Sequence, residues 1–262
     1  HGAWCGRSGA VGHATVSKAL MGVQVGDRAV GLRSRAQLRD TVEQDGCVRW
    51  PKLVSRSRVQ ALAEHAEGAT HGRAGSRCLL METWCSELAG RLTQALVSAR
   101  LLPPGSLAVQ CIYFEKTLEH NWLVALHQDL SLPLRNRIES PAWHGWSYKE
   151  GHHFAQPPPG VLEQCLALRL HLDSCDENDG ALRIVRGSHR QGILQTPSSH
   201  SSVQFQNCTA QEGDAWLMRP LALHASSKRN TPGRRRVLHF VFGPATLPDG
   251  AQWPQWPLRA KV

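Results

Sequence analysis

The residues best suited to chemistry in this 262-residue chain stand in the triplet His127-Gln128-Asp129. On a strand, residues two apart point the same way, so this imidazole and this carboxylate can bind one cation together. With 14 histidines and 21 acidic residues in the chain, chance alone readily supplies such pairs. Two rivals exist, His65-Ala66-Glu67 and His171-Leu172-Asp173. The first sits in a helical stretch, where positions i and i+2 diverge, and is set aside. The second lies on a clear strand and stays open on spacing alone. A second histidine from a distant strand would complete a two-histidine, one-carboxylate face, the ligand set that leaves free coordination positions on ferrous ion.

Such ligands need strands to carry them. Residues 1–34 are rich in Gly, Ala and Val without a period and read as a loosely ordered N-terminal segment. Residues 35–104 read as a helical layer: 57–64 and 84–96 place apolar residues three and four apart, and Leu102-Pro103-Pro104-Gly105 ends the pattern. From residue 105 to 262 the period changes to two. Residues 107–114, 165–173, 215–218 and 237–242 read as strands, with Leu166, Leu168, Leu170 and Leu172 on one face. Short strands parted by turn residues predict a mainly β protein with a helical layer, its core a jelly roll of the cupin-like, double-stranded β-helix kind. A single domain is expected over 35–262. Residues 131–160 carry Trp143, Trp146, Tyr148, His144, His152, His153 and Pro157-Pro158-Pro159-Gly160, and are expected to form a loop that walls the site.

Composition narrows the class. Hydrophobic residues make up 41% and charged residues 19%, which fits a globular chain. No apolar run reaches the roughly 18 residues a membrane span needs. The net charge of +9 would suit an anionic partner, but the cations are scattered and only Arg234-Arg235-Arg236 forms a dense run, which argues against nucleic acid. The eight cysteines include no C-x-x-C pair; they read as reduced thiols of a cytoplasmic protein. The sequence opens at His1, so a targeting segment ahead of it stays open.

Further motifs follow in a fixed order. Phe114-Glu115-Lys116-Thr117 and Asn121-Trp122 lead into Leu126-His127-Gln128-Asp129-Leu130. Next come Leu170-His171-Leu172-Asp173, Asn178-Asp179-Gly180-Ala181-Leu182 and Gly187-Ser188-His189. Gly213-Asp214-Ala215-Trp216 then leads to Leu223-His224-Ala225-Ser226, and Arg234-Arg235-Arg236-Val237-Leu238-His239 closes the series. Taken together, this ordered set resembles the phytanoyl-CoA dioxygenase family. The chain departs from the family pattern at Leu126, where Trp is usual, at Arg186, where Pro is usual, and in the extra Asp179 before Gly180. No ligand position is lost.

The resemblance implies His127, Asp129 and His224 as ligands of iron(II). It also implies 2-oxoglutarate as co-substrate, ascorbate as a stimulant, and hydroxylation of a small organic substrate by O2 with release of succinate and CO2. His171 and Asp173 then fall to a polar strand face, and His189 to a turn. The family anchors the far carboxylate of 2-oxoglutarate on an arginine shortly after the distal histidine, where Arg234, Arg235 and Arg236 all stand. Arg235 is favoured by its gap to the apolar strand. Ser226 is a candidate second donor, and Gln110 and Lys116 are candidates for the other end; Arg169 is a candidate for a further anionic group. Related halogenases lack the carboxylate, so Asp129 points to hydroxylation. The alternatives are a metal- or ligand-binding member without turnover, a nucleic-acid-directed dioxygenase, and a cupin-like zinc hydrolase, in which the paired arginine has no role. Neither the primary substrate nor the oligomeric state is marked.

Overall fold

The computed structural model describes residues 32–194 and 203–256. The expected loose segment lies outside them except for its last three residues, which open helix α1 (Leu32–Asp45). Two further long helices follow, α2 (Arg56–Thr70) and α3 (Thr83–Ser98). On α3, Cys85, Leu88, Ala89, Leu92 and Leu96 are buried, the three-and-four spacing that makes one apolar stripe.

Strands are numbered along the chain. The larger sheet runs β1 (Cys47–Trp50), β11 (Ala215–Met218), β8 (Leu166–His171), β13 (Arg235–Gly243), β3 (Leu107–Lys116), β2 (Gly75–Ser76). A second sheet runs β10 (Gln206–Cys208), β9 (Leu182–Ile184), β12 (His224–Ser226), β4 (Val124–His127). All pairings in both are antiparallel.

Alternation along the strands of the larger sheet decides what each face meets. Leu166, Leu168 and Leu170 of β8 and Leu238, Phe240 and Phe242 of β13 pack into one core with the stripes of the three helices. Each fully buried leucine there contributes about 1.5–3 kcal/mol. The opposite face carries Arg169 and His171 on β8 and Arg235, Val237 and His239 on β13, all buried. It looks across at the second sheet. The result is the mainly β, jelly-roll architecture that the sequence predicts, with a polar seam inside. Among the described residues no helix is long and apolar enough to cross a membrane.

Two expectations need correction. Residues 35–104 are not purely helical, because β1 and β2 add edge strands to the larger sheet. Four residues and two residues are too short for a period to show. Residues 131–160 are not an irregular loop: β5 (Leu132–Leu134), β6 (His144–Lys149) and β7 (His152–Gln156) form their own antiparallel sheet, ordered β5-β7-β6. Leu132, Leu134, Trp143 and Ala155 bury themselves in a core beneath it. Trp143 is thus a packing residue, while Tyr148 is exposed, and Pro159 begins a short helix, α4 (Pro159–Gln164), where its missing N–H costs nothing.

Candidate metal centre

His127 ends β4 and His224 begins β12, and the two are direct cross-strand partners. Their rings lie 4.2 Å apart. Asp129 follows two residues on, its backbone N–H donating to the Pro220 carbonyl at 2.9 Å. Its Oδ1 lies 3.5 Å from Nε2 of His127 and 3.6 Å from Nε2 of His224. The three ligand atoms fall within 4.8 Å of one another.

The tautomers test whether a metal fits. Nδ1 of His127 lies 2.8 Å from the Ala125 carbonyl, and Nδ1 of His224 lies 2.9 Å from the Ala222 carbonyl. A carbonyl only accepts, so each Nδ1 must donate and, in the neutral ring, each Nε2 presents a lone pair. Two lone pairs and a carboxylate then converge with no donor between them, a set that a cation completes. Burial alone would raise the Asp129 carboxyl. His224, His127 and His239 outweigh it and hold the group well below the usual carboxylate range. Burial lowers the His224 imidazole, whereas Asp129 overrides burial at His127 and raises it.

Gln128, between His127 and Asp129, points the other way. Its Nε2 donates to the carbonyls of Gly192 and Leu221 at 2.8 and 2.7 Å, and its Oε1 accepts from the Leu194 N–H at 2.8 Å. It pins the loops on either side of the ligand strand. Ser188, from the Gly-Ser-His element, accepts from the Leu223 N–H at 2.8 Å and so fixes the approach to His224. His189 has its Nε2 3.2 Å from the Glu43 carbonyl and stays outside the site.

A cavity of about 180 Å³ opens beside the triad, between the sheets. At its far end Lys116 and Arg235 are cross-strand partners on β3 and β13. Lys116 is fully buried; its ammonium donates to Ser226 Oγ at 2.9 Å and to the Ser227 carbonyl at 2.7 Å. Burial, then the cations Arg235 and Arg169, lowers its pKa to about 7. Arg235 donates to the Gly180 carbonyl at 2.6 Å, while its Nε has no partner. Its neighbours face elsewhere: Arg234 pairs with Glu67 and Glu115, and Arg236 with Asp173 and Glu67. Period-two alternation separates the three arginines, because β13 begins at Arg235, two residues before the strand read from sequence.

Of the other expected residues, Gln110 is buried on the same face of β3 but does not line the cavity, which that strand reaches only with Ile112, Phe114 and Lys116. His171 is also absent from the lining, and both its ring nitrogens are buried without a partner. Asp173 holds Arg236 through its side chain and accepts from the Arg236 backbone N–H. The rival pair is thus divided between a core position and an ion pair. No residue of 131–160 lines the cavity.

Sequence reading missed His239 and Trp122. His239 places Nε2 3.7 Å from Asp129 Oδ2, and burial, with Arg169 beside it, lowers its pKa to about 3. Its position two steps of two beyond Arg235 was the available signal. Trp122 lies over the Lys116 ammonium at 5.4 Å. Arg169 enters the cavity wall from β8, donating to His239 Nδ1 at 3.3 Å and lying over the Phe114 ring at 5.5 Å.

Comparison with known proteins bears on the fold and the family. A fungal relative, the dioxygenase cnsJ of Penicillium expansum, is 33% identical over 76 residues, a match covering 29% of this chain and only 23% of that protein. Among solved structures, HygX of Streptomyces hygroscopicus, with nickel and 2-oxoglutarate bound, superposes with a TM-score of 0.56 at 16% identity, covering 79% of this chain and 86% of its own. The carbocyclase SnoK of nogalamycin biosynthesis, a non-haem α-ketoglutarate-dependent enzyme, gives 0.61 at 12% identity over 86% and 93% of the two chains. At these identities the structures share the fold. The model of the family described as phytanoyl-CoA dioxygenase (PhyH) matches residues 42–237, from α1 to the start of β13 with the whole triad inside, and the chain belongs to that family.

Proposed function

We propose that this chain is an iron(II)- and 2-oxoglutarate-dependent dioxygenase that hydroxylates a small organic substrate, with His127, Asp129 and His224 as metal ligands. The observation that carries the reading is the convergence of two Nε2 lone pairs and one carboxylate, with His239 behind the carboxylate. Two neutral imidazoles and one carboxylate are the donor set suited to ferrous iron with open positions. Iron held there would supply the oxidising chemistry, in which O2 hydroxylates the substrate while 2-oxoglutarate becomes succinate and CO2.

The protein's own residues bind and orient. The Ala125 and Ala222 carbonyls fix the two imidazole tautomers. Gln128 holds the ligand strand in register. Arg235, Lys116 and Ser226 would take the far carboxylate of 2-oxoglutarate; a guanidinium with a free buried Nε is suited to a carboxylate. Ile112, Phe114, Trp122 and Leu182 supply apolar wall that excludes water from the reacting centre.

The test is anaerobic loading with Fe(II) and 2-oxoglutarate, followed by O2 and assay for succinate. Stoichiometric metal and substrate-stimulated succinate are expected. A protein that binds metal and 2-oxoglutarate yet forms no succinate with any substrate would instead be a binding member of the family.

A further inference from the structure

Arg169 is the one cation of the cavity that this function does not use. It is 7% exposed, and its Nε is buried without a partner. Among the described residues no carboxylate is in ion-pair contact with it; Asp129, a metal ligand in the proposed site, attracts it from farther off, and its hydrogen bond goes to a neutral imidazole, His239 Nδ1. A guanidinium keeps its charge at any ordinary pH and only donates. Burying one without an anion is costly, so such a group persists where a ligand brings the anion.

The charges of the occupied cavity leave Arg169 over. A divalent metal with Asp129 and a dianionic co-substrate carries one net negative charge, which Arg235 neutralises. Lys116, which would share the far carboxylate with Arg235, adds further positive charge at that end, so the co-substrate leaves no anion for Arg169. Arg169 is close enough to be repelled by both cations, and it reaches the cavity from a different strand. It comes from β8, level with His239, which is four residues along β13 from Arg235 and on the Asp129 side.

We infer that Arg169 receives an acid group of the primary substrate, so that the substrate is a small molecule whose carboxylate or similar oxyanion enters the cavity beside His239. The inference rests on iron and 2-oxoglutarate occupying the site as proposed. The cavity of about 180 Å³ is well below the roughly 300 Å³ at which drug-sized pockets begin. With the co-substrate in place it admits a charged end and not a bulky body. The neutral His239 ring, accepting from Arg169 on Nδ1, must carry its proton on Nε2, which faces Asp129. Arg169 therefore also orients the group behind the carboxylate ligand, which puts the substrate's acid in register with the metal.

The experiment uses the full chain loaded with Ni(II), which does not support turnover, and saturated with 2-oxoglutarate. Calorimetry then measures binding of small monocarboxylic acids, benzoate among them, each matched with its primary amide. At least one acid should bind about tenfold or more tighter than its amide, the scale of a charge-assisted pair. In Arg169→Met that preference should shrink to within about twofold while 2-oxoglutarate affinity stays within about twofold; Arg169→Lys should keep part of it. Removing an unpaired buried cation leaves the fold intact or firmer, and a thermal melt of each variant checks this. The inference is overturned if no acid is preferred, if the preference survives in Arg169→Met, or if that variant loses 2-oxoglutarate itself, which would make Arg169 a co-substrate anchor. Failure of the wild type to bind metal and 2-oxoglutarate would overturn the parent reading as well, and is seen before any acid is added.

Discussion

The Lys116 ammonium donates to the Ser226 hydroxyl at 2.9 Å, tying the larger sheet to the smaller one across 110 residues of sequence. The contact puts a cation with a lowered pKa at the end of the cavity opposite the metal ligands. Its consequences for pH have a definite sign. The unfolded chain keeps this proton up to about 10.5, whereas the folded chain releases it near 7. Between those values the unfolded state binds more protons, so the ligand-free protein gains stability as pH rises through the window. Below pH 7 the full cost of a buried ammonium is present. Urea melts of wild type and Lys116→Met from pH 7 to 10 should differ in slope, the variant being flatter.

The same lysine predicts how the co-substrate binds. A carboxylate beside it favours the charged form, so 2-oxoglutarate binding should draw a proton onto Lys116. Affinity of the Ni(II)-loaded protein for 2-oxoglutarate should fall as pH rises from 7 to 9, by up to about tenfold per unit. In Lys116→Gln this trend should vanish. A wild-type affinity that is level across the range would remove Lys116 from the co-substrate end.

The three consecutive arginines should separate cleanly. Arg235 is buried and faces the cavity, so Arg235→Met is expected to weaken 2-oxoglutarate binding by about ten- to a hundredfold, the worth of one charged hydrogen-bonding group. Arg234 is half-exposed and pairs with Glu67 and Glu115, so Arg234→Met should change binding by less than about twofold. Arg236 closes a two-oxygen pair with Asp173 and reaches Glu67 on α2. Its loss should cost about 1–2 kcal/mol of stability with co-substrate affinity unchanged.

How far the sequence reveals this site depends on which physical signal each residue carries. His127 and Asp129 share a strand period, and Arg235 shares one with Val237 and His239, so alternation alone puts them on common faces. Pairing across sheets carries no such mark. Nothing local in Leu223-His224-Ala225 states that His224 will sit opposite His127; only the order of motifs does. Gln110 failed for the opposite reason, since period two gives its face correctly but not how far along the strand the cavity extends. The 131–160 segment misled because its tryptophans and prolines look like a binding loop, while Trp143 and Phe154 pack around a small sheet whose strands, three to six residues long, are too short to show a period. Arg169 was legible as a cation on the inner face; that it would lack a carboxylate partner was not.

The rival histidine pair offers a direct contrast. Asp129→Ala removes the carboxylate between His127 and His224 and should abolish both tight metal binding and turnover. His171 touches neither the triad nor the cavity, and burial holds its imidazole well below its usual range, hence neutral. Both of its nitrogens are unsatisfied. His171→Leu fills similar volume without the desolvated polar atoms and should raise stability by about 1 kcal/mol, with metal affinity unchanged. Equilibrium dialysis with Ni(II) and denaturant melts measure the two effects. Reversal, with His171→Leu losing metal and Asp129→Ala keeping it, would transfer the site to the β8 pair.

Gly180 joins the two anchors at the far end of the cavity. Its carbonyl accepts from Arg235, and its backbone has a φ of +68°. A Cβ there would meet the Ser227 carbonyl oxygen at 2.5 Å, and that oxygen is the one accepting from Lys116. In Gly180→Ala the left-handed backbone alone costs about 1–2 kcal/mol. The clash must push either the turn or the strand end that carries Ser226 and Ser227. Moving either shifts Arg235 or Lys116 while leaving His127, Asp129 and His224 in place, because none of them contacts Gly180. Co-substrate affinity should therefore fall with Ni(II) affinity unchanged, a split that simple loss of stability does not produce. If 2-oxoglutarate binds the folded variant as it binds the wild type, Gly180 serves the turn only, and the carboxylate site tolerates movement of its supports.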